Sequence, residues 1–161
     1  CDGAALLLKR SAASGNPGSW GLPGGNADEV DGGKLLETAE REAREEVGAL
    51  PSGLHVAGSV LTRRGKALQK HYTVFIAHAP SAARAAYLPT LNEEHTEWRW
   101  VDMAHVAALA HAPKPKALVG DAPAADMVLH PVVRALFGAE HAGVLPALLA
   151  ATPPPADSAA L

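Results

Sequence analysis

A single cysteine, Cys1, leaves this 161-residue chain without the means for an internal disulfide, and it fits a reducing compartment; the cytoplasm is the expected location. No run of about 18 apolar residues occurs, which argues against a membrane-spanning helix. The Cys1-Asp2 start shows neither the basic nor the long apolar stretch expected of a signal peptide. Basic charge is also short: 14 Lys and Arg stand against 17 Asp and Glu, for a net charge of −3. A surface that coats a nucleic-acid polymer calls for the opposite balance. Aromatic residues are scarce at 4%, while glycine (15) and proline (13) are plentiful. The length suits one domain with a real core, expected over residues 1–150, with residues 151–161 forming a Pro/Ala tail too poor in large apolar groups to order itself.

What the chain does have is a dense acidic helix. Over Arg41-Glu42-Ala43-Arg44-Glu45-Glu46-Val47-Gly48-Ala49, a helical rotation of about 100° per residue puts Glu45 at about −60° and Glu46 at about +40° from Glu42. All three acids share one arc. Leu36, Ala39, Ala43 and Val47 form a separate apolar stripe suited to a core. Like charges at i, i+3 and i+4 cost a few tenths of a kcal/mol each, and a hard divalent cation with oxygen ligands would turn that repulsion into attraction. A solvated helix face accounts for part of the pattern, because Glu37–Arg41 and Glu40–Arg44 are ordinary i, i+4 pairs.

Upstream, Trp20-Gly21-Leu22-Pro23-Gly24-Gly25 supplies a loop whose paired glycines can bend sharply and approach a ligand closely. Together the loop and helix resemble the Nudix box, G-x5-E-x7-R-E-U-x-E-E-x-G-U with U aliphatic. The second half is matched at every fixed position from Arg41 to Ala49, with alanine at both U positions. The first half departs. The box places glycine at 27 and glutamate at 33, where this chain has Ala27 and Gly33, and the loop is two residues longer than the family spacing. The first box glutamate is thus lost, or replaced by Glu29 or Asp31.

The resemblance covers about Ala4 to Leu109 and implies a magnesium-dependent pyrophosphohydrolase, with manganese as an alternative ion. The implied metal ligands are Glu42, Glu45, Glu46 and the carbonyl of Gly25, with Arg41 orienting the glutamates. Glu45, Glu46, Glu94 and Arg41 form the expected catalytic set. Glu94 stands first among three candidates for a distal acid, beside Glu93 and Glu97. Arg10, Trp20 and Glu93 are the expected substrate contacts, although a basic strand end is commonly just solvated and a tryptophan is more often core. The implied substrate is a small nucleotide: a (deoxy)nucleoside triphosphate, an oxidised one included, split to monophosphate and pyrophosphate. ADP-ribose or a dinucleotide is the alternative, and a non-catalytic nucleotide-binding or assembly module is the rival of another class. Family members are often homodimers, so a second copy is a candidate partner.

The order of elements indicates an α+β fold, consistent with the Nudix αβα sandwich of a mixed β-sheet between helices. Expected strands are Ala4–Arg10, Trp20–Leu22, His55–Thr62, Lys70–His78 and Glu97–Val101. A basic turn, Arg63–Lys66, closes the third and fourth into a hairpin. The box helix is expected from Lys34 or Leu35 to Val47, stopped by Gly48. Further helices are expected after an Asp102 cap, from Pro131 to Phe137, and within 140–150 with a break near Pro146, while 112–125 reads as a loop. Such domains carry a strand ahead of the one at Ala4; here it is either very short or was lost when the chain was cut from a longer protein. The eight histidines show no metal-ligand spacing.

Overall fold

Leu7 and Leu8 are adjacent in sequence and both almost fully buried, so the strand that carries them is covered on both faces. This is β1 (Ala4–Arg10), the centre of a three-stranded antiparallel sheet in a computed structural model that describes residues 2–113 and 127–151. On one side β5 (His95–Asp102) pairs along its whole length, from Ala4 opposite Asp102 to Arg10 opposite His95, with a register shift between Lys9 and Arg10. On the other side β2 (Trp20–Gly21) pairs only with Leu8 and Lys9. The segment before the fourth helix then lies along β2, since the Trp20 N–H donates to Val128 O and the His130 N–H to Trp20 O, each at 2.8 Å. A second sheet is the hairpin of β3 (His55–Arg64) and β4 (Lys70–His78).

Helix α1 (Leu35–Val47) follows the glycine loop, and a short helical turn, α2 (Ala83–Ala86), follows β4. Helices α3 (Met103–His111), α4 (Pro131–Leu136) and α5 (Val144–Ala150) complete the described elements. The core has two clusters: Leu7, Trp20, Val101, Val106 and Val133 in one, Val60, Val74, Val132, Leu136 and Leu145 in the other. Consecutive valines of α4 point into different clusters, so this six-residue helix ties the two sheets together. Helix α5 approaches β3 so closely that a Cβ at Gly58 would lie 2.7 Å from Leu148 Cδ2.

The α+β class stands, with a different sheet arrangement. In place of one mixed sheet there are two antiparallel ones, and the one parallel contact among the described residues is the isolated bridge of Trp20 with Leu129. Arg63 and Arg64 belong to β3, opposite His71 and Lys70, so the turn starts at Gly65. Asp102 stands at the start of α3 without a capping hydrogen bond; its carboxylate accepts from Arg84 at 3.2 Å instead. Pro146 lies in the first turn of α5, where a missing N–H costs nothing, and does not interrupt it. Of the expected apolar stripe of α1 only Val47 is buried; Leu36 is 36% exposed on a cavity wall. Most of the loop expected at 112–125 and nearly all of the tail fall outside the described residues.

His130 caps α4 with its ring: Nδ1 accepts from the Val132 N–H at 3.3 Å, and Nε2 lies 3.2 Å from Asn16 Nδ2. Burial, helped by Arg10 and Arg64, pushes its pKa down to about 4. A protonated ring cannot accept at Nδ1. The unfolded chain binds that proton first as pH falls, so the stability from the cap is present above pH 6.5 and is lost on the way down to about 4. Urea melts of wild type and His130→Asn, which keeps a capping group that does not titrate, are expected to diverge over that window by about 1 kcal/mol. Parallel curves would refute the assignment.

Candidate active site

The loop before α1 solves a local problem. Asp28 starts a 3-10 turn over Glu29–Asp31 with a reciprocal capping box, and Gly32 and Gly33 then leave it with φ of 56° and 77°. Only glycine takes two successive left-handed conformations without strain. A glutamate at position 33, as in the family box, would have to adopt that backbone. Asp31 supplies the carboxylate in its place. It is 4% exposed and accepts from Arg41 in fork geometry, Nε to Oδ1 at 2.9 Å and Nη2 to Oδ2 at 3.0 Å, and from the Asp28 N–H at 2.8 Å. The Arg41 guanidinium, then the Asp28 N–H, holds the Asp31 carboxyl far below the usual carboxylate range. Of the two replacements open from sequence, Asp31 makes the contact; Glu29 is exposed.

From that anchor Arg41 gathers the helix acids. Its Nη2 lies 3.0 Å from Glu42 Oε1, its Nη1 donates to Glu45 Oε1 at 3.0 Å, and Nη2 also donates to Asn26 O at 3.2 Å. The glycine pair packs on the same acids. A Cβ at Gly25 would fall 2.0 Å from Glu42 Oε2, and one at Gly24, where φ is 135°, would fall 2.8 Å from the Tyr72 hydroxyl. The Gly24 N–H donates to Glu46 Oε2 at 2.7 Å. Glu46 is 4% exposed, and burial pushes its carboxyl up to about 7, against the pull of the Gly24 N–H and with added repulsion from Glu94 and Glu42. Glu45 is the exposed member of the three.

Among the candidates for a distal acid, Glu94 is the one whose charge reaches Glu46, and it lies 3.6 Å from Arg10 Nη2. Glu97 is engaged elsewhere, by Lys9 at 2.5 Å and Arg99 at 3.2 Å. Glu93 is exposed. Arg10 belongs to the group, since it also donates to Gly15 O at 2.6 Å and its charge acts on Glu46, His95 and His130. Trp20 corrects the expectation: at 2% exposure its ring is core, with the Arg99 guanidinium 4.8 Å from its centroid, and it has no free face for a base.

Two residues escaped the sequence reading. Tyr72 on β4 sits against Gly24, and burial followed by Glu46 and Glu42 raises its hydroxyl pKa. His130 joins Asn16 and faces the Arg10 charge. Neither lies near the acidic helix in sequence, and no local pattern marks them. A cavity of about 1330 Å³ is walled by Leu36, Ala39, Ala43 and Val47 on the apolar side of α1 and reaches Gly24, Gly25 and Tyr72 of the site, whereas Glu42, Glu45 and Glu46 do not line it.

A family model for the NUDIX domain matches residues 1–120. The chain is 35% identical over 107 residues to a Mycobacterium tuberculosis protein named "Putative 8-oxo-dGTP diphosphatase 3", a match covering 66% of this chain and 48% of that protein. The chain therefore spans about half the length of the curated relatives it matches. Among solved structures, a Nudix hydrolase from M. smegmatis, RenU, superposes with a TM-score of 0.64 at 26% identity, covering 94% of this chain and 80% of that one. The MutT protein from Methanosarcina mazei shares 30% identity over 66% of this chain and 72% of its own, with a TM-score of 0.47.

Removing Arg41 leaves the Asp31 carboxylate buried with no cation, whereas removing the Asp31 charge leaves Arg41 its glutamates. Arg41→Met is therefore expected to lower Tm more than Asp31→Asn, and the double variant to recover part of the loss. The folded pKa of Asp31 is depressed, so its contribution is full above about 3.8 and falls as pH drops below that value. Additive losses in the double-mutant cycle would show the pair to be uncoupled.

Proposed function

The chain belongs to the Nudix domain family, and from that membership we propose that it is a hydrolase of phosphoric anhydride bonds acting on a small nucleotide with the help of a divalent cation. The observation that carries this reading is the Arg41 network, which holds Glu42, one turn before the buried Glu46, and Glu45, next to Glu46 in sequence, with Glu46 bonded to the Gly24 N–H. The donor set fits a hard cation: every group is an oxygen, and burial, with added repulsion from Glu94 and Glu42, pushes the Glu46 carboxyl up to about 7. Among the described residues no three acidic, His or Cys side chains converge on one point, because Glu42 and Glu45 turn to Arg41 and Glu46 to Gly24. Glu42, Glu45, Glu46 and the Gly25 carbonyl are the groups that would hold magnesium, or manganese. When bound, such an ion neutralises phosphate charge and makes water a better nucleophile at neutral pH.

The chain's own residues supply the rest. Glu46, poised near 7, can take up or release a proton at Oε1 or Oε2 near neutral pH. Glu94 is our choice of distal acid, supported by its charge acting on Glu46, and Arg10, 3.6 Å from it, is our choice of guanidinium for an incoming phosphate. Asp31 keeps Arg41, and through it the glutamates, in register. For the substrate we favour a (deoxy)nucleoside triphosphate, oxidised purine forms included, cut to monophosphate and pyrophosphate. The support is the diphosphatase named among relatives at 35% identity, together with a net charge that suits a small anion bound through metal better than a polymer.

Incubation with magnesium and a panel of nucleoside triphosphates, oxidised triphosphates, ADP-ribose and dinucleotides is expected to release monophosphate and pyrophosphate from one triphosphate class. Glu45→Gln is expected to lower turnover by about 100-fold or more. Magnesium-dependent stabilisation without turnover on any member would move the assignment to a nucleotide-binding module.

Gly25→Ala probes the packing against Glu42. The added methyl would displace that carboxylate, so the rise of Tm with magnesium is expected to weaken and kcat to fall by about 10–100-fold. An unchanged response to magnesium would remove Glu42 from the proposed ligands.

A further inference from the structure

We propose that Arg64 is a phosphate-binding residue, and that with Arg10 it seats a phosphate of the substrate beyond those taken by the acidic helix, so that the ligand is a chain of three or more phosphates. The placement comes from β3. Side chains alternate along it, so Val60, Thr62 and Arg64 share one face and Leu61 and Arg63 the other. Val60 packs with Val132 and Leu136 of α4, and Thr62, fully buried, donates to Tyr72 O at 2.9 Å. Arg64 thus continues the inner face toward Tyr72 and the start of α4, whereas Arg63 is exposed on the outer one. The Tyr72 hydroxyl in turn sits against Gly24, whose N–H donates to Glu46.

Arg64 carries a charge and a donor that the fold does not use. Its Nε is buried and has no hydrogen-bond partner among the described residues. Among the same residues it is in no ion pair, and neither are Arg63, Lys66 and Lys70, its neighbours at the hairpin end. Every other described Lys or Arg meets a carboxylate, except Arg134, which donates to Ala110 O and Ala112 O. In a chain of net charge −3, these cations make one hairpin end locally positive. A buried guanidinium donor without an acceptor costs free energy, and a phosphate oxygen is the acceptor that suits a charged fork.

Tyr72 marks where the acidic and basic halves meet. Its hydroxyl pKa, raised first by burial, is pushed further up by Glu46 and Glu42 and pulled down by Arg10 and Arg64. That of His130, at the start of α4, is lowered first by burial and then by the same two arginines. The His130 ring and the Arg10 side chain both reach the loop between β1 and β2, at Asn16 and at Gly15 O. Arg10 and Arg64 therefore flank one region from two different sheets. A phosphate chain laid across Tyr72 has the acids at one end and two guanidinium groups at the other. In this arrangement a diphosphate leaves Arg64 unused and a triphosphate does not. Identifying the anion as substrate rests on the proposed hydrolysis; the anion seat itself does not.

The test measures binding of inorganic tripolyphosphate to the whole chain by calorimetry with EDTA in excess, so that neither metal nor turnover enters. Wild type is expected to bind, Arg64→Gln to bind at least about tenfold more weakly, and Arg63→Gln, which removes the same charge from the outer face, to lose less than about threefold. With magnesium, Arg64→Gln is expected to raise KM for a nucleoside triphosphate about tenfold with kcat little changed, to reduce the preference for tri- over diphosphate by a similar factor, and Arg64→Lys to recover part of the loss. Equal losses in Arg63→Gln and Arg64→Gln would mean diffuse attraction, and no tripolyphosphate binding by folded wild type would mean no seat; either result overturns the proposal. Arg64-dependent binding without turnover of any nucleotide would support the seat and remove the hydrolase reading alone.

Discussion

The fork-to-fork contact between Arg41 and Asp31 is the constraint on which the site depends. It joins a helix to a loop that would otherwise have little to hold it, since the loop has six residues between Gly25 and Gly32 and one of its larger apolar groups, Val30, is 78% exposed. A bidentate arginine–carboxylate pair fixes direction as well as distance. With the guanidinium plane set by Asp31, the remaining donors can point only where Glu42, Glu45 and Asn26 O receive them. The same loop bends at Gly24 and Gly25, whose missing side chains leave room for Tyr72 and Glu42. Loop, helix and β4 thus meet at one place by hydrogen bonds and absent methyl groups rather than by apolar packing.

That arrangement concentrates negative charge where solvent is thin. Glu46 is buried with a single hydrogen-bonding N–H, and Glu42 and Glu94 add repulsion, so neutral and charged forms come close in free energy near pH 7. Asp31, equally buried, is driven the other way because a cation touches it. Two carboxylates with similar exposure are thus driven in opposite directions, Asp31 by the Arg41 guanidinium and the Asp28 N–H, Glu46 by burial and the repulsion of neighbouring acids.

What could be read from sequence was what is local. The box helix and the common arc of its acids follow from a 3.6-residue period and a glycine stop, and α1 ends at Val47 as that pattern requires. The β3–β4 hairpin followed from alternation, its turn displaced by two residues because Arg63 and Arg64 still pair. Asp31 could be named as one of two replacements; choosing it took the φ values of Gly32 and Gly33, which no residue count supplies. Tyr72, His130 and the burial of Trp20 depend on contacts between distant segments. The division of the sheet was also hidden, because pairing of strands is a property of edges, and a strand's own composition does not say which of its edges is covered.

The ladder between β1 and β5 bears on how the molecule reaches this state. Ala4 finds its partner in Asp102 and Leu8 in Trp98, so β1 is completed along that edge by the last of the five strands to be synthesised. Until then Leu7 and Leu8 have no ladder along that edge, whereas β3 and β4 can zip locally across five loop residues. Closing the longer loop costs more chain entropy and brings later reward, the condition that slows folding in proteins rich in distant contacts. During synthesis, an early apolar strand must therefore wait, exposed, while a hairpin and a charged helix form downstream of it; in this chain, chaperone need and aggregation risk concentrate on Ala4–Leu8.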